Sequence, residues 1–176
     1  MQEIYIEDIG RILKSKRRLE KELNVKLYNQ GRLMFIEGKS EDEYLALKII
    51  EAMNLGFSIN KALLLKDVEN IFQIINIKDI TKRHDLERVR ARIIGTHGKT
   101  IANLSKLSEC ELSLKENQVG IIGNSDRINE SIISLESLIR GSKQGNVYTR
   151  LEKKGKERRN NPKFKTRIIN DFKKLE

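Results

Sequence analysis

The run Arg92-Ile-Ile-Gly-Thr-His-Gly-Lys-Thr100 closes as a triphosphate-binding loop does, with glycine, lysine and a hydroxyl residue in succession. That loop needs a further glycine five positions before the second one, so that backbone amides can wrap the phosphates. Ile93 stands there, and a β-branched residue cannot form the wrap. What remains is a pair of glycines three apart, Gly95 and Gly98, followed by a cation. Glycine lets the backbone turn sharply and approach a ligand closely. Amides at the start of a following helix, together with its positive dipole end, favour an anion. The chemistry on offer is the clamping of a sugar-phosphate backbone by Gly95, Thr96, His97 and Gly98, with Lys99 adding charge and Thr100 a hydroxyl.

Other chemistries find little support. His97 is read as a solvent-facing loop residue, because no acid or nucleophile is suggested beside it. One cysteine and two histidines form no zinc set. There is no paired-carboxylate metal motif and no catalytic histidine arrangement, so neither a nuclease nor an NTPase is expected, and no cofactor or metal. The formal charge of +10 and pI of about 9.7 call for an anionic partner, nucleic acid or a membrane surface. No run of about 18 apolar residues exists, which argues against a membrane span. The opening MQEIYIEDIG lacks the charged-then-apolar pattern of a secretion signal. The lone Cys110 precludes an internal disulfide and suits a reducing cytoplasm.

The elements that must hold the loop follow from periodicity, and they occur twice. Shifting the sequence by 85 positions lays Ile9-Gly10 on Ile94-Gly95, Leu19 on Leu104, Leu27 on Leu112, Ile36 on Ile121, Gly38 on Gly123 and Gly56 on Gly141. Two copies of one module are expected, over residues 1–66 and 67–150, followed by a basic tail over 151–176 that is helical or disordered. In the second copy, 69–80 is rich in β-branched residues and predicts a strand. Leu86, Val89 or Arg90, and Ile93 recur at helical spacing up to Gly95. A second helix opens at Lys99, with Ile101 and Leu104 inward. Cys110, Leu112 and Leu114 alternate with polar residues, Glu116-Asn117 turns the chain, and Val119 and Ile121 return. Ser125-Asp126 predicts a cap for a last helix with Ile128, Ile132, Leu135 and Ile139 inward.

The order β-α-α-β-β-α with G-x-x-G between the first two helices resembles the KH domain, whose loop clamps about four nucleotides of single-stranded nucleic acid. The expected fold class is α+β, as two tandem type I KH modules. The resemblance places RNA contact on Gly95 through Thr100. Arg88 and Arg92, four apart on the preceding helix, together with Ile94 and Asn103, are further candidates. Ser113 and Lys115 are candidates on the strand taken to border the groove. The first copy reads Gly10-Arg-Ile-Leu13, so Leu13 replaces the second glycine and the module is expected to be degenerate. Its next stretch, Lys14-Ser-Lys-Arg-Arg18, stays basic.

Beyond the loop, V-G-I-I-G and then R-G-S-K-Q-G-N-V-Y-T-R-L-E-K, including Gly145 to Lys153, resemble the archaeal "partner of Nob" family, two-KH-domain factors of small-ribosomal-subunit maturation. The resemblance implies binding to the 3′ end of small-subunit rRNA or its precursor. It also implies contact with the Nob-type endonuclease that cuts there and with the alpha subunit of translation initiation factor two. An RNA-binding accessory of a degradation or transcription complex is the alternative. The tail from Arg150 carries eleven Lys and Arg against four acids, and so most of the net charge.

Overall fold

The computed structural model describes residues 1–160, and two three-stranded antiparallel sheets organise them. The first unit runs β1 (Gln2–Tyr5), α1 (Ile9–Leu23), β2 (Lys26–Gln30), β3 (Leu33–Glu37) and α2 (Ser40–Asn54). A short helix α3 (Ile59–Ala62) and a 3-10 turn over 63–66 then connect to the second unit. That unit comprises β4 (Asn70–Asn76), the single turn α4 (Ile77–Ile80), α5 (Leu86–Ile94), α6 (Lys99–Ser108), β5 (Glu111–Lys115), β6 (Gln118–Asn124), α7 (Ser125–Arg140) and α8 (Gln144–Asn160). In each sheet the last strand lies between the other two, giving β1-β3-β2 and β4-β6-β5.

The helices form where apolar residues recur on one face. Ile12, Leu19 and Leu23 of α1 are buried against Leu27, Met34 and Ile36 of the first sheet. In the second unit Val89, Ile93 and Leu104 pack on Leu112, Val119 and Ile121, with Ile128, Leu135 and Ile139 of α7 closing the layer. Val147 and Leu151, four apart on α8, join the same core.

Four expectations need correction. The first unit is β-α-β-β-α, one helix short of the predicted plan. Only Ile6, Glu7 and Asp8 separate β1 from α1, too few for a helix and a loop. Gly10 therefore lies in the first turn of α1, whose start is capped by Asp8 accepting from the Arg11 amide. The 85-residue match holds from Ile9 onward, but continued backwards it would lay β1 on α5. The strand predicted to reach Ile80 ends at Asn76, whose side chain accepts from the Lys78 amide at 3.0 Å and bends the chain into α4. The α7 cap is Asn124, accepting from the Asp126 amide, and not Ser125. Finally, α8 runs through residue 150, so a boundary there would divide a helix packed on α6 and α7; the tail beyond residue 160 lies outside the described residues.

The two units meet through the face of the second sheet that points away from its helices. Phe72, Ile74 and Ile122 on that face belong to the first unit's core, beside Leu55, Phe57, Ala62 and Leu65. Phe57 and Phe72 meet edge to face with centroids 6.2 Å apart. Gly120, in register with Ile74 and Ser113, leaves room for this: a methyl group there would collide with Leu55 and lie 2.7 Å from the Phe57 ring. Lys61 and Glu111 pair across the junction at 2.6 Å. Truncating the fully buried Phe57 to Ala should therefore cost about 3–5 kcal/mol in denaturant unfolding; a loss below about 1 kcal/mol would mean that the units do not depend on this contact.

Candidate nucleic-acid interface

The two glycines of the loop adopt different conformations, and only the first of them excludes every other residue. Gly95 ends α5 at φ 72°, ψ 178°, a region occupied essentially by glycine alone. A methyl group there would also collide with Thr100 and lie 2.9 Å from its backbone nitrogen. Gly98 differs: at φ 74°, ψ 11° it is left-handed, and a methyl group on it would meet nothing within 4 Å. Between them His97 also adopts a left-handed conformation, φ 52° and ψ 33°, which turns the chain directly into α6. No side chain caps α6, so its N-terminal end lies open beside exposed Thr96, His97 and Lys99. Asn103, one turn after Lys99, is exposed on the same helix face.

A groove opens next to the loop. A cavity of about 460 Å³ lies between the end of α5 and the β5–β6 hairpin, lined by Arg90, Ile94, Leu114, Glu116 and Asn117. Ile94 is 41% exposed, an apolar surface facing this space. The Arg90 guanidinium is held at the rim by Asn117, whose Oδ1 accepts its hydrogen bond at 2.7 Å. The Asn117 backbone carbonyl accepts from the Ile77 amide at 2.8 Å, which ties the hairpin to α4. An apolar floor, a fixed cation and an open glycine loop suit a flat base with its phosphate attached. Backbone contacts set position, and the groove edges would provide discrimination.

The structure brings Ile94, Gly95, Thr96, His97, Gly98, Lys99 and Asn103 together, and it separates the remaining candidates. Ser113 and Lys115 point to the opposite face of their strand. Ser113 Oγ donates to the Leu55 carbonyl at 3.1 Å, while Lys115 Nζ reaches the Asn54 carbonyl at 2.7 Å and Glu7 at 2.5 Å. Both serve the junction of the units. Arg92 donates to the carbonyls of Gly141 and Ser142 at 2.8 and 2.6 Å, clasping the end of α7 where a cation meets the negative dipole end. Arg88, exposed and 3.6 Å from Asp85, lies with Arg92 on the flank of α5 away from Arg90 and Ile94. Thr100 is 4% exposed and supports Gly95 from beneath.

Arg90, Leu114 and Asn117 were missed. Arg90 and Ile94 stand four apart, a signal that was present but merged with the core stripe at Val89 or Arg90. Leu114 alternates as a core residue does, and only its half-buried place at the sheet edge makes it groove lining. Cys110 offers no nucleophile: it is 2% exposed, and burial pushes its thiol above the ordinary range. Among the described residues no group of three His, Cys, Asp or Glu side chains is arranged to hold a metal, and no helix is long and apolar enough to cross a membrane.

Helices α5 and α6 joined by an open glycine loop, over a β4-β6-β5 sheet, define a KH-domain protein of type I. Residues 71–156 match the family model for the second KH domain of PNO1 proteins, described as a eukaryotic type KH-domain (KH-domain type I). The chain is similar to Dim2p from Pyrococcus horikoshii, with 31% identity and a TM-score of 0.76 over 87% of this chain and 99% of that one. It therefore belongs to the Dim2/PNO1 family of KH-domain proteins. It is also similar, at 29% identity and TM-score 0.79 over 89% of this chain and 94% of the other, to a chain in the crystal structure of an a/eIF2alpha–aDim2p–rRNA complex from the same organism. A pre-rRNA-processing protein, pno1 of Emericella nidulans, is 29% identical over 59% of this chain, which spans 42% of its length.

The two loop glycines should respond differently to substitution. Gly95→Ala imposes both a forbidden conformation and a collision, and should cost at least about 2 kcal/mol. Gly98→Ala meets only left-handed strain, about 1 kcal/mol. Equal denaturation midpoints for the two variants would contradict the packing of Gly95 on Thr100.

Proposed function

We propose that this chain is a non-catalytic RNA-binding protein of pre-rRNA processing, acting on the 3′ end of small-subunit rRNA or its precursor. The single observation that carries the proposal is the groove itself: Arg90, Ile94 and Leu114 stand beside a glycine loop whose second glycine is open to a ligand. The family supports the choice of RNA, since one relative is a pre-rRNA-processing protein and another was crystallised in a complex with a/eIF2alpha and rRNA. On this reading a single strand enters with its phosphates on Gly95, Thr96, His97, Gly98 and Lys99. A base lies over Ile94 and Leu114, and Arg90 meets its edge or an adjoining phosphate.

The proposed role is that of an adaptor. The clamp holds the rRNA end while a Nob-type endonuclease cuts there, and the alpha subunit of translation initiation factor two is a further proposed partner. The chain's two units, over 1–66 and from 67 onward, then divide the work: the second carries the clamp, and the first is a KH-derived module that has no loop. Its α1 begins where the loop should be.

Gly98→Asp places a carboxylate where the phosphate is to lie, in a conformation that aspartate tolerates. Affinity for a short single-stranded RNA with the rRNA 3′-end sequence should fall about 10- to 100-fold, the worth of one charge-assisted hydrogen bond. The unfolding curve should stay close to that of the parent. Unchanged affinity would remove the loop from the RNA site.

A further inference from the structure

Strand β5 is the edge of its sheet, paired on one side only, by β6. Leu112 and Leu114 point toward the helices, and Leu114 lines the groove. Each residue of the opposite face is tied to the first unit or to the segment that joins the units. Glu111 pairs with Lys61 of α3 at 2.6 Å, and Ser113 Oγ donates to the Leu55 carbonyl at 3.1 Å. Lys115 Nζ donates to the Asn54 carbonyl at 2.7 Å and pairs with Glu7 at 2.5 Å. Gly56, at φ 108°, lets the middle link close, since a methyl group on it would lie 2.9 Å from Ser113 Oγ. An edge strand has no second ladder to fix it, so these side-chain links set where its free flank stands.

Lys115 is the link nearest the site. It precedes the turn Glu116-Asn117, and Asn117 is the residue that holds the Arg90 guanidinium at the groove rim. Its acceptor, Asn54, ends α2, whose own last turn contains no basic residue. Carbonyls at a helix C-terminus lack intrahelical donors and form the negative end of the dipole, so a lysine from the second unit completes this end. Glu7 is itself held in place: its amide donates to Asn54 Oδ1 at 3.1 Å, and Asn54 Nδ2 donates to the Tyr5 carbonyl at 3.3 Å. Beside the link lies a cavity of about 270 Å³ whose lining includes Glu7, Asn54, Lys115 and Glu116. Close packing does not brace the hairpin turn on this side, and Glu116 lines both this cavity and the groove.

We infer that Lys115 is a positioning residue for RNA binding: held by Asn54 and Glu7, it fixes the hairpin wall of the groove against the end of α5. The inference rests on the reading of the groove as the RNA site and adds that its width is set from the first unit. Lys115 acts through its neighbours and not on a phosphate, because its ammonium is already committed to a carbonyl and a carboxylate. A hairpin released at Lys115 displaces Asn117, loosens Arg90 and moves Leu114 relative to Ile94. The ligand then meets a groove of altered width and a cation no longer held at its rim.

The full chain carrying Lys115→Gln, Glu7→Gln or both tests this with a single-stranded RNA of about 6 nucleotides that has the rRNA 3′-end sequence. Lys115→Gln should weaken binding about fivefold or more, the worth of its charge-assisted hydrogen bond, with the slope of log affinity against log salt unchanged. Glu7→Gln should weaken it about two- to fivefold, the worth of a partly exposed ion pair. Charge alone predicts the opposite sign, because removing an acid strengthens binding to a polyanion. The double variant should match Lys115→Gln, since both changes act through one pair. In proton–nitrogen correlation spectra of the RNA-free protein, the Asn117 amide and Arg90 guanidinium signals should shift in all three variants. An affinity that Glu7→Gln leaves unchanged or raises would overturn the inference. So would a salt slope shallower by about 0.7 in Lys115→Gln, the mark of one lost phosphate contact on a single strand, or unmoved Asn117 and Arg90 signals. Failure of the parent to bind the RNA would instead count against the groove reading, and the spectra would still decide whether Lys115 positions the hairpin.

Discussion

The packing of Leu55 and Phe57 into the hollow left by Gly120 is the contact on which the rest of the molecule depends. A sheet with helices on one side has a second face to cover, and the first unit covers it. Phe72, Ile74 and Ile122 thereby become core residues of the other unit. Ser113, Lys115 and Glu111, which on an isolated sheet would meet solvent, are drawn into hydrogen bonds and ion pairs with Leu55, Asn54, Glu7 and Lys61. Access to the second unit is thus confined to the helical side, where the loop and its groove lie.

On that side the two glycines share a motif but not a task. Gly95 is an internal packing residue, needed because Thr100 occupies the space of any side chain and because its dihedral angles exclude other residues. Gly98 faces open space. One glycine builds the turn, and the other leaves its outer surface free. The arginines divide in the same way: Arg92 is committed to the end of α7, while Arg90 is steadied by Asn117 at the groove rim. A cation next to a binding motif in sequence is therefore no guide to a cation at the ligand.

Helices α5, α6 and α7, the hairpin turn at Glu116-Asn117, the core stripes of α6 and α7 and the location of the loop were legible in the chain, because each is set by local spacing. The repeat was legible from Ile9 onward. Ahead of Ile9 a gap-free match suggested two helices in a stretch that holds one. The deciding quantity was chain length: three residues between β1 and α1 cannot form a helix and a loop. The end of β4 was set by one side-chain hydrogen bond at Asn76, and the α7 cap stands one residue earlier than its sequence suggests, at Asn124.

By itself the sequence determined where backbone freedom is needed, which faces are apolar and how much positive charge the protein carries. Glycine, periodicity and formal charge act through nearest neighbours and sums, so no distant partner can alter them. Only the tertiary structure decided which side of β5 faces a ligand and which flank of α5 borders the groove. Alternation distinguishes two faces of a strand but cannot say which is free when helices bury one and a second unit buries the other. Helical spacing likewise places Arg90 and Arg92 on opposite flanks of Val89 and Ile93, but what lies beyond each flank, the β5–β6 hairpin or the end of α7, is set by packing between residues far apart in the chain.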